Sequence, residues 1–167
     1  MTSDAITVRA ATEEDIPAIA ELEQLCFSVP WSEKALRETL SSPHARLFCA
    51  ELGGVVIAYG GCYLLGDDAD ITNIATHPDM RRRGAAAAVL EALRIYAKEH
   101  GASALHLEVR ASNVAALTLY LKSGFQKNIE KQFYSELFLL CSGYIRCKTF
   151  YDWRKRYERQ RIDSKST

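Results

Sequence analysis

The segment from Ile71 to Lys98 constrains the fold more than any other. Ile71-Thr-Asn-Ile-Ala-Thr-His77 alternates as a strand does and Pro78-Asp-Met80 breaks it. Arg81-Arg-Arg-Gly84-Ala-Ala-Ala-Ala88 follows, and Val89, Leu93 and Ala97 then recur at helical spacing. A strand, a tight turn, a small-residue loop and a long helix in that order make an anion site. Gly84 to Ala88 let a ligand approach the backbone of the first helical turn, where several N–H groups lack partners and the helix dipole is positive. The same residues also read as an Ala-rich helix preceded by a solvated basic turn, and the loop alone does not decide between the two.

The rest of the chain supplies a scaffold. Ile6-Thr-Val-Arg-Ala10 alternates as a first strand, and Thr12-Glu-Glu-Asp15 ahead of Ile16, Ile19, Leu22 and Cys26 reads as a capped helix. Pro30 halts that helix and Ser32 caps the next, which runs through Ala35, Leu36 and Leu40. Between them the Pro30-Trp31 pair either places a rigid aromatic at a cleft lip or packs Trp31 into the core. Ala45 to Glu51 and Val55 to Leu64 are strands joined at Gly53-Gly54. Asp67-Asp68-Ala69-Asp70 reads first as a polar turn into the next strand and second as an attractor for an amine.

His100-Gly101 closes the long helix. Ala104-Leu-His-Leu-Glu-Val-Arg110 is a period-two strand, with Leu105, Leu107 and Val109 on one face and His106, Glu108 and Arg110 on the other. Ser112 caps a helix in which Asn113, Ala116, Leu117 and Tyr120 lie near one face, and Gly124 ends it. Asn113 and Tyr120 are then about 10 Å apart along the axis. Phe125 to Tyr134 is a further, polar strand; Leu137 to Cys141 reads as a short buried strand and Asp152 to Ile162 as a polar, basic helix.

Composition sets the outer bounds. At 167 residues, 48% of them hydrophobic and 25% charged, the chain suits one domain with a substantial core. Net charge is zero, so nothing global points to nucleic acid or a membrane, yet the charge is unevenly spread. Residues 1–140 carry 13 basic and 18 acidic side chains, and residues 141–167 carry 8 and 3. We therefore expect a folded domain over 1–140 and a basic, partly helical tail over 141–167. In that tail, residues 146–161 hold seven Lys or Arg among Phe150, Tyr151, Trp153 and Tyr157. A solvated terminal helix explains the pattern most simply, and contact with a nucleic acid is the rival. The five cysteines are odd in number and lack a C-x-x-C pair. That argues against a disulfide framework or zinc site and for reduced thiols in a cytoplasmic protein. Neither a signal peptide nor a membrane span is expected.

Arg81-x-x-Gly84-x-Ala86 matches the acetyl-CoA signature R/Q-x-x-G-x-G/A of the GCN5-related N-acetyltransferase (GNAT) superfamily, with Ala in the last small position. Further matches follow in order: Asn73-Ile-Ala-Thr-His-Pro78, Arg82-Arg-Gly84, Leu107-Glu-Val-Arg-Ala-Ser-Asn113, Leu119-Tyr120 and Ser123-Gly-Phe125. With the stretch Phe27 to Ser32, they resemble the RimI-type ribosomal protein alanine N-acetyltransferases over residues 6–134. The resemblance implies a mixed α/β GNAT fold: a central, mostly antiparallel sheet of six to seven strands flanked by about four helices. It also implies acetyl-CoA as co-substrate, with no metal, and the N-terminus of a protein, a ribosomal one, as acceptor. An acetyltransferase for lysine or small amines, and an acetyl-CoA-binding module with a partner-binding tail, are the alternatives.

Transfer of an acyl group from a thioester to an amine requires a neutral amine, a stabiliser for the oxyanion and a proton for the departing thiolate. By resemblance Glu108 is the base, acting through water, and Tyr120 the acid beside the sulfur. The backbone of Ile74, Ala75 and Thr76 would meet the acetyl and pantetheine portion. Arg82, Arg83, Gly84, Ala85, Ala86 and Ala87 would hold the pyrophosphate, and Asn113 would also touch the cofactor. Read from the residues alone, Glu108 is by default a surface carboxylate paired with Arg110 or His106, and Tyr120 can be a core aromatic with its hydroxyl at the rim. His106 is a cross-strand structural residue or a reserve base. After Phe133-Tyr134 the family's closing turn begins at Ser135-Glu136, but its last strand does not follow; either Leu137 to Cys141 replaces it ahead of a basic helix, or the tail is not native to the family.

Overall fold

The structure, a computed structural model, describes residues 5–127 and 144–150. Its centre is a seven-stranded sheet built from β1 (Thr7–Ala10), β2 (Ala45–Leu52), β3 (Val55–Leu65), β4 (Asp68–Thr76), β5 (Ala104–Arg110), β6 (Gln126–Lys127) and β7 (Tyr144–Phe150). The order across the sheet is β1-β2-β3-β4-β5-β7-β6. Every neighbouring pair is antiparallel except β4 with β5, which pair in parallel because a long helix connects them. Gly53 and Gly54, both with positive φ, make the tight β2–β3 turn expected at that pair.

Among the described residues, four helices cover the sheet: α1 (Ile16–Cys26), α2 (Glu33–Ser41), α3 (Ala85–Glu99) and α4 (Val114–Lys122). The stripe Ile16, Ile19 and Leu22 of α1, with Leu36 of α2, packs on Leu47, Cys49, Tyr59 and Ala75 on one face. α3 lays Val89 and Leu93 on Ala50, Ala58 and Cys62 on the other. Its approach is close: a Cβ on Gly60 would lie 2.7 Å from Val89 Cγ1. Leu93 is fully buried, and truncating such a leucine to alanine costs about 2–5 kcal/mol. α3 ends in a Schellman motif, with Gly101 in the left-handed region and Ala102 N–H donating to Ala97 O at 3.0 Å.

The first helix enters through a capping arrangement: Thr12 N–H donates to Asp15 Oδ2 at 2.8 Å, and Arg9 donates to both carboxylate oxygens of Asp15. The Arg9 guanidinium beside it holds the Asp15 carboxyl down to about 2. This contribution to stability is therefore complete above the ordinary carboxylate range and is lost as pH falls toward about 2. At α2, Ser32 Oγ accepts from Ala35 N–H at 3.2 Å, as expected.

Two expectations are corrected. The cap of α4 is Asn113, not Ser112: Asn113 Oδ1 accepts from Ala116 N–H at 3.2 Å. Both residue types cap, and the one whose oxygen meets the third amide onward takes the position. The second correction concerns the boundary between a domain ending at 140 and a tail from 141. Tyr144–Phe150 lies inside the sheet between β5 and β6, with Cys147 paired to Leu107. Ile145, Cys147 and Thr149 alternate with Tyr144, Arg146, Lys148 and Phe150, and Cys147 and Thr149 are buried. The two cations make a strand with Cys147 and Thr149 buried look like part of a basic tail. Of the polar strand expected from Phe125 to Tyr134, the structure places Gln126–Lys127 as β6. Residues 128–134, the strand expected at Leu137 to Cys141 and the helix expected at Asp152 to Ile162 lie outside the described residues. Within the described residues, no helix is long and apolar enough to cross a membrane, and Cys26, Cys49, Cys62 and Cys147 are free thiols.

Candidate active site

β4 and β5 are paired only from Asp68↔Ala104 to Asp70↔His106. The cause of their divergence sits in β4. Gly60 pairs with Ile74 and Cys62 with Ile71, so one residue of β3 opposes two of β4, Thr72 and Asn73: a β-bulge. A bulge bends its strand and sharpens the local twist, which carries β4 away from β5 above the last shared pair. The cleft that opens, of about 280 Å³, is lined by Asp70, Ile71, Thr72, Leu107 and Glu108.

The two walls offer different groups. His77 N–H donates to Ile57 O on β3 at 2.8 Å. By the alternation of an antiparallel ladder, His77 and Ala75 turn their main chain to β3, while Ile74 and Thr76 turn theirs to the open side. There the Thr76 carbonyl accepts from Cys26 Sγ at 3.3 Å and Arg81 Nε at 3.4 Å. Ala75 is buried against α1, and Ile74 packs toward α3 and α4. Thr72 lines the cleft, and its Oγ1 is buried with no hydrogen-bond partner among the described residues.

Beyond Thr76, Pro78–Met80 forms a single 3-10 turn and leads into exposed Arg81, Arg82 and Arg83. Arg82, with φ 61°, is the one non-glycine with positive φ among the described residues, and Gly84 follows at φ 88°. The two left-handed residues fold the loop tightly over the start of α3, where Gly84 is the N-cap. Ala85 is buried in the cluster with Ala50, Ile57 and Ala58, Ala86 is half-buried and Ala87 exposed, so the first helical turn carries no side chain larger than a methyl group. The expected residues Arg82 to Ala87 thus form one continuous, cationic, small-residue cradle adjoining Ile74 to Thr76.

On β5, Glu108 is exposed at the cleft and held by a regular strand whose Leu107 and Val109 are buried. His106 on the same face is tied across the strand pair, its Nε2 lying 3.0 Å from Asp68 Oδ2, which is the structural role of the two expected for it. Tyr120 approaches from behind β5, in the apolar cluster of Leu105, Leu107, Val109 and Phe125 that Ile74 also borders. Its place is set by the end of α4. Gly124, at φ 90°, lets Phe125 N–H donate back to Tyr120 O at 3.0 Å, and the two rings pack with centroids 6.0 Å apart. These are the backbone and the side-chain contacts of a Schellman motif. Burial pushes the Tyr120 phenol up to about 12, so it stays protonated at neutral pH. Asn113 is exposed, with its side-chain oxygen engaged in the cap of α4.

One cluster escapes the reading of the sequence. Glu23 of α1 is fully buried and accepts three hydrogen bonds: from Trp31 N–H into Oε2 at 2.8 Å, and from Asn73 Nδ2 at 2.9 Å and the Tyr59 hydroxyl into Oε1. Burial and the neighbouring carboxylate push the Tyr59 phenol well above its usual range, so it acts as a donor. Spacing carries a signal: Glu23 stands seven residues after Ile16 and four after Ile19, inside the apolar stripe. Trp31 itself is half-buried, its side chain against the α1–α2 cluster.

The chain matches the acetyltransferase (GNAT) family over residues 16–125. It is 34% identical over 129 residues to the ribosomal protein bS18-alanine N-acetyltransferase of Escherichia coli K12, spanning 77% of this chain and 86% of that one. The crystal structure of the Escherichia coli ribosomal-protein-S18-alanine N-acetyltransferase is similar at TM-score 0.72 and 28% identity, over 87% of this chain and 94% of that one. The PaiA N-acetyltransferase of Thermoplasma acidophilum, solved with coenzyme A, shares the fold at TM-score 0.74 and 14% identity, over 88% and 99% of the two chains. A split parallel strand pair, a small-residue cradle at the start of the following helix and these likenesses agree: the chain belongs to the GNAT family of acetyltransferases.

Proposed function

We propose that this acetyltransferase uses acetyl-CoA to acetylate the α-amine of an N-terminal alanine, and that its acceptor is a ribosomal protein. The observation that carries the reading is the position of Glu108, fixed on β5 at a cleft that it lines together with Asp70, Ile71 and Thr72 of β4. It stands in a chain 34% identical to an enzyme named for that reaction. Acetyl-CoA supplies the activated acetyl group. Main-chain groups of Ile74 and the N–H of Thr76 are suited to align its pantetheine arm as a strand would, and the cradle from Arg82 to Ala87 to hold its pyrophosphate. Asn113 lies at the near end of α4, its amide nitrogen left to reach the same ligand.

Glu108 takes the proton from the attacking amine, directly or through water, as the nitrogen–carbon bond forms. Tyr120 gives its proton to the sulfur as the carbon–sulfur bond breaks, and solvent restores both groups. An α-amine has a pKa near 8, so about a tenth is already neutral at pH 7, whereas a lysine near 10.4 would ask far more of one carboxylate.

Mass spectrometry of two peptides incubated with acetyl-CoA tests the reading. One has a free N-terminal alanine and no lysine; the other is N-terminally blocked with an internal lysine. Modification of the first alone is expected, and modification of the second alone would transfer the activity to lysine.

A further inference from the structure

We propose that Glu23 is a positioning residue for the acceptor side of the reaction, its carboxylate fixing the Pro30–Trp31 segment to the bulge of β4. The proposal rests on the proposed function and on the reading of the Pro30–Trp31 pair as the lip of the cleft. Glu23 is 0% exposed, so it touches no substrate. A carboxylate removed from water is unfavourable unless donors replace the water, and three donors do so here. An apolar side chain of equal volume would seal α1 onto the sheet without that cost. Stability alone therefore does not account for a glutamate at this point of the stripe.

An apolar residue could not hold a loop amide. Oε2 of Glu23 accepts from the main chain of Trp31, in the connection between α1 and α2. Oε1 accepts from the Tyr59 hydroxyl on β3 and from Asn73 Nδ2 on β4. Asn73 is the second residue of the bulge and directly precedes Ile74, where the open main chain of the cleft begins. One side chain thus registers the lip of the acceptor site against the strand proposed to hold the acetyl donor. A misplacement of about 1 Å between reactants costs far more in rate than in stability.

The decisive variants are Glu23→Gln and the pair Glu23→Gln/Asn73→Asp, each made in a Trp153→Phe background so that Trp31 is the sole tryptophan. Glutamine keeps the volume but turns an NH2 toward a donor. The acceptor-peptide KM should rise about tenfold, the size expected for one lost hydrogen bond to a charged acceptor, with the acetyl-CoA KM within about twofold of its starting value. Trp31 emission should move to longer wavelength. The double variant exchanges the two functional groups. The carboxamide introduced on α1 donates to the carboxylate introduced in the bulge, the Tyr59 hydroxyl donates to that carboxylate, and Trp31 N–H donates to the carboxamide oxygen. Acceptor KM and emission should then both return. Unchanged emission and KM in Glu23→Gln, a parallel rise of both KM values, or no recovery in the double variant would each overturn the proposal. Should Glu23→Gln fail to fold, Tyr59→Phe removes one donor, and the same smaller shifts are required of it. If the unmodified enzyme leaves the alanine peptide untouched, the functional reading has failed, while the emission shift and its recovery still decide the role of Glu23.

Discussion

β4 and β5 face each other across one cleft and contribute to it in different ways. β5 is regular: its backbone is fully paired to β7, and what it offers the cleft is a side chain, Glu108, aimed by the pleat. β4 is irregular: its bulge breaks the pairing with β5, and what it offers is main chain at Ile74 and Thr76. The difference suits the two substrates. A pantetheine arm carries amides that a strand edge can match, whereas an amine needs one acceptor of protons at one point. It follows that β5 should be intolerant of changes in chemistry, and β4 of changes in backbone position.

The harshest test of the β5 side is Glu108→Gln. It should lower kcat about a hundredfold or more, the range for removal of a general base, with acetyl-CoA binding little changed. Titration calorimetry with coenzyme A beside steady-state kinetics separates the two effects, and an unaltered kcat would remove Glu108 from the chemistry. Tyr120→Phe should be milder, about tenfold, because a thiolate with a pKa near 8.5 leaves with less protonation help than the amine needs in attack. The pH profile is sharper still. With the Tyr120 phenol at about 12, the rate should climb as the acceptor amine loses its proton near pH 8 and then hold level to about pH 10. A downturn centred near the ordinary phenol value of about 10 would mean that burial does not hold this proton.

What is legible in the chain divides along the same line. Glu108, the cradle from Arg82 to Ala87 and the Ser123-Gly-Phe125 stop that seats Tyr120 are local: residue type and spacing within a few positions define them. The bulge at Thr72–Asn73 is a relation between two strands and has no signature in either alone. Glu23 escapes notice because a glutamate on a helix ordinarily faces water, and only its place in the Ile16–Ile19 stripe speaks otherwise. β7 is hidden because the charges of Arg146 and Lys148 outweigh a period-two pattern whose inner positions include a thiol and a hydroxyl, Cys147 and Thr149.

On the β4 side, backbone position is tested by Gly60→Ala. A Cβ there would stand 2.7 Å from Val89 Cγ1, 3.1 Å from Ile74 Cγ1 and 3.2 Å from Asn73 O, so α3 and the bulge must both yield. Overpacking of this kind costs about 1–3 kcal/mol, and chemical denaturation should show it. Because the displaced groups border the cradle and Ile74, the acetyl-CoA KM should rise about fivefold while the acceptor KM moves less. A stability loss with both KM values unaltered would mean that the main chain of β4 has latitude in the cleft.

The smallest effect is expected where β4 changes only in side chain. Ile74→Val removes one methylene from the boundary of the clusters behind the sheet and leaves the strand's main chain in place. It should cost about 0.5–1.5 kcal/mol of stability, the ordinary loss for this truncation. The acetyl-CoA KM should stay within about twofold, since no group assigned to the ligand is altered. If this minor change instead matched Gly60→Ala in its effect on acetyl-CoA, the side chain of Ile74 would be a ligand contact. β4 would then bind as β5 does, through what its residues carry and not through the course of its backbone.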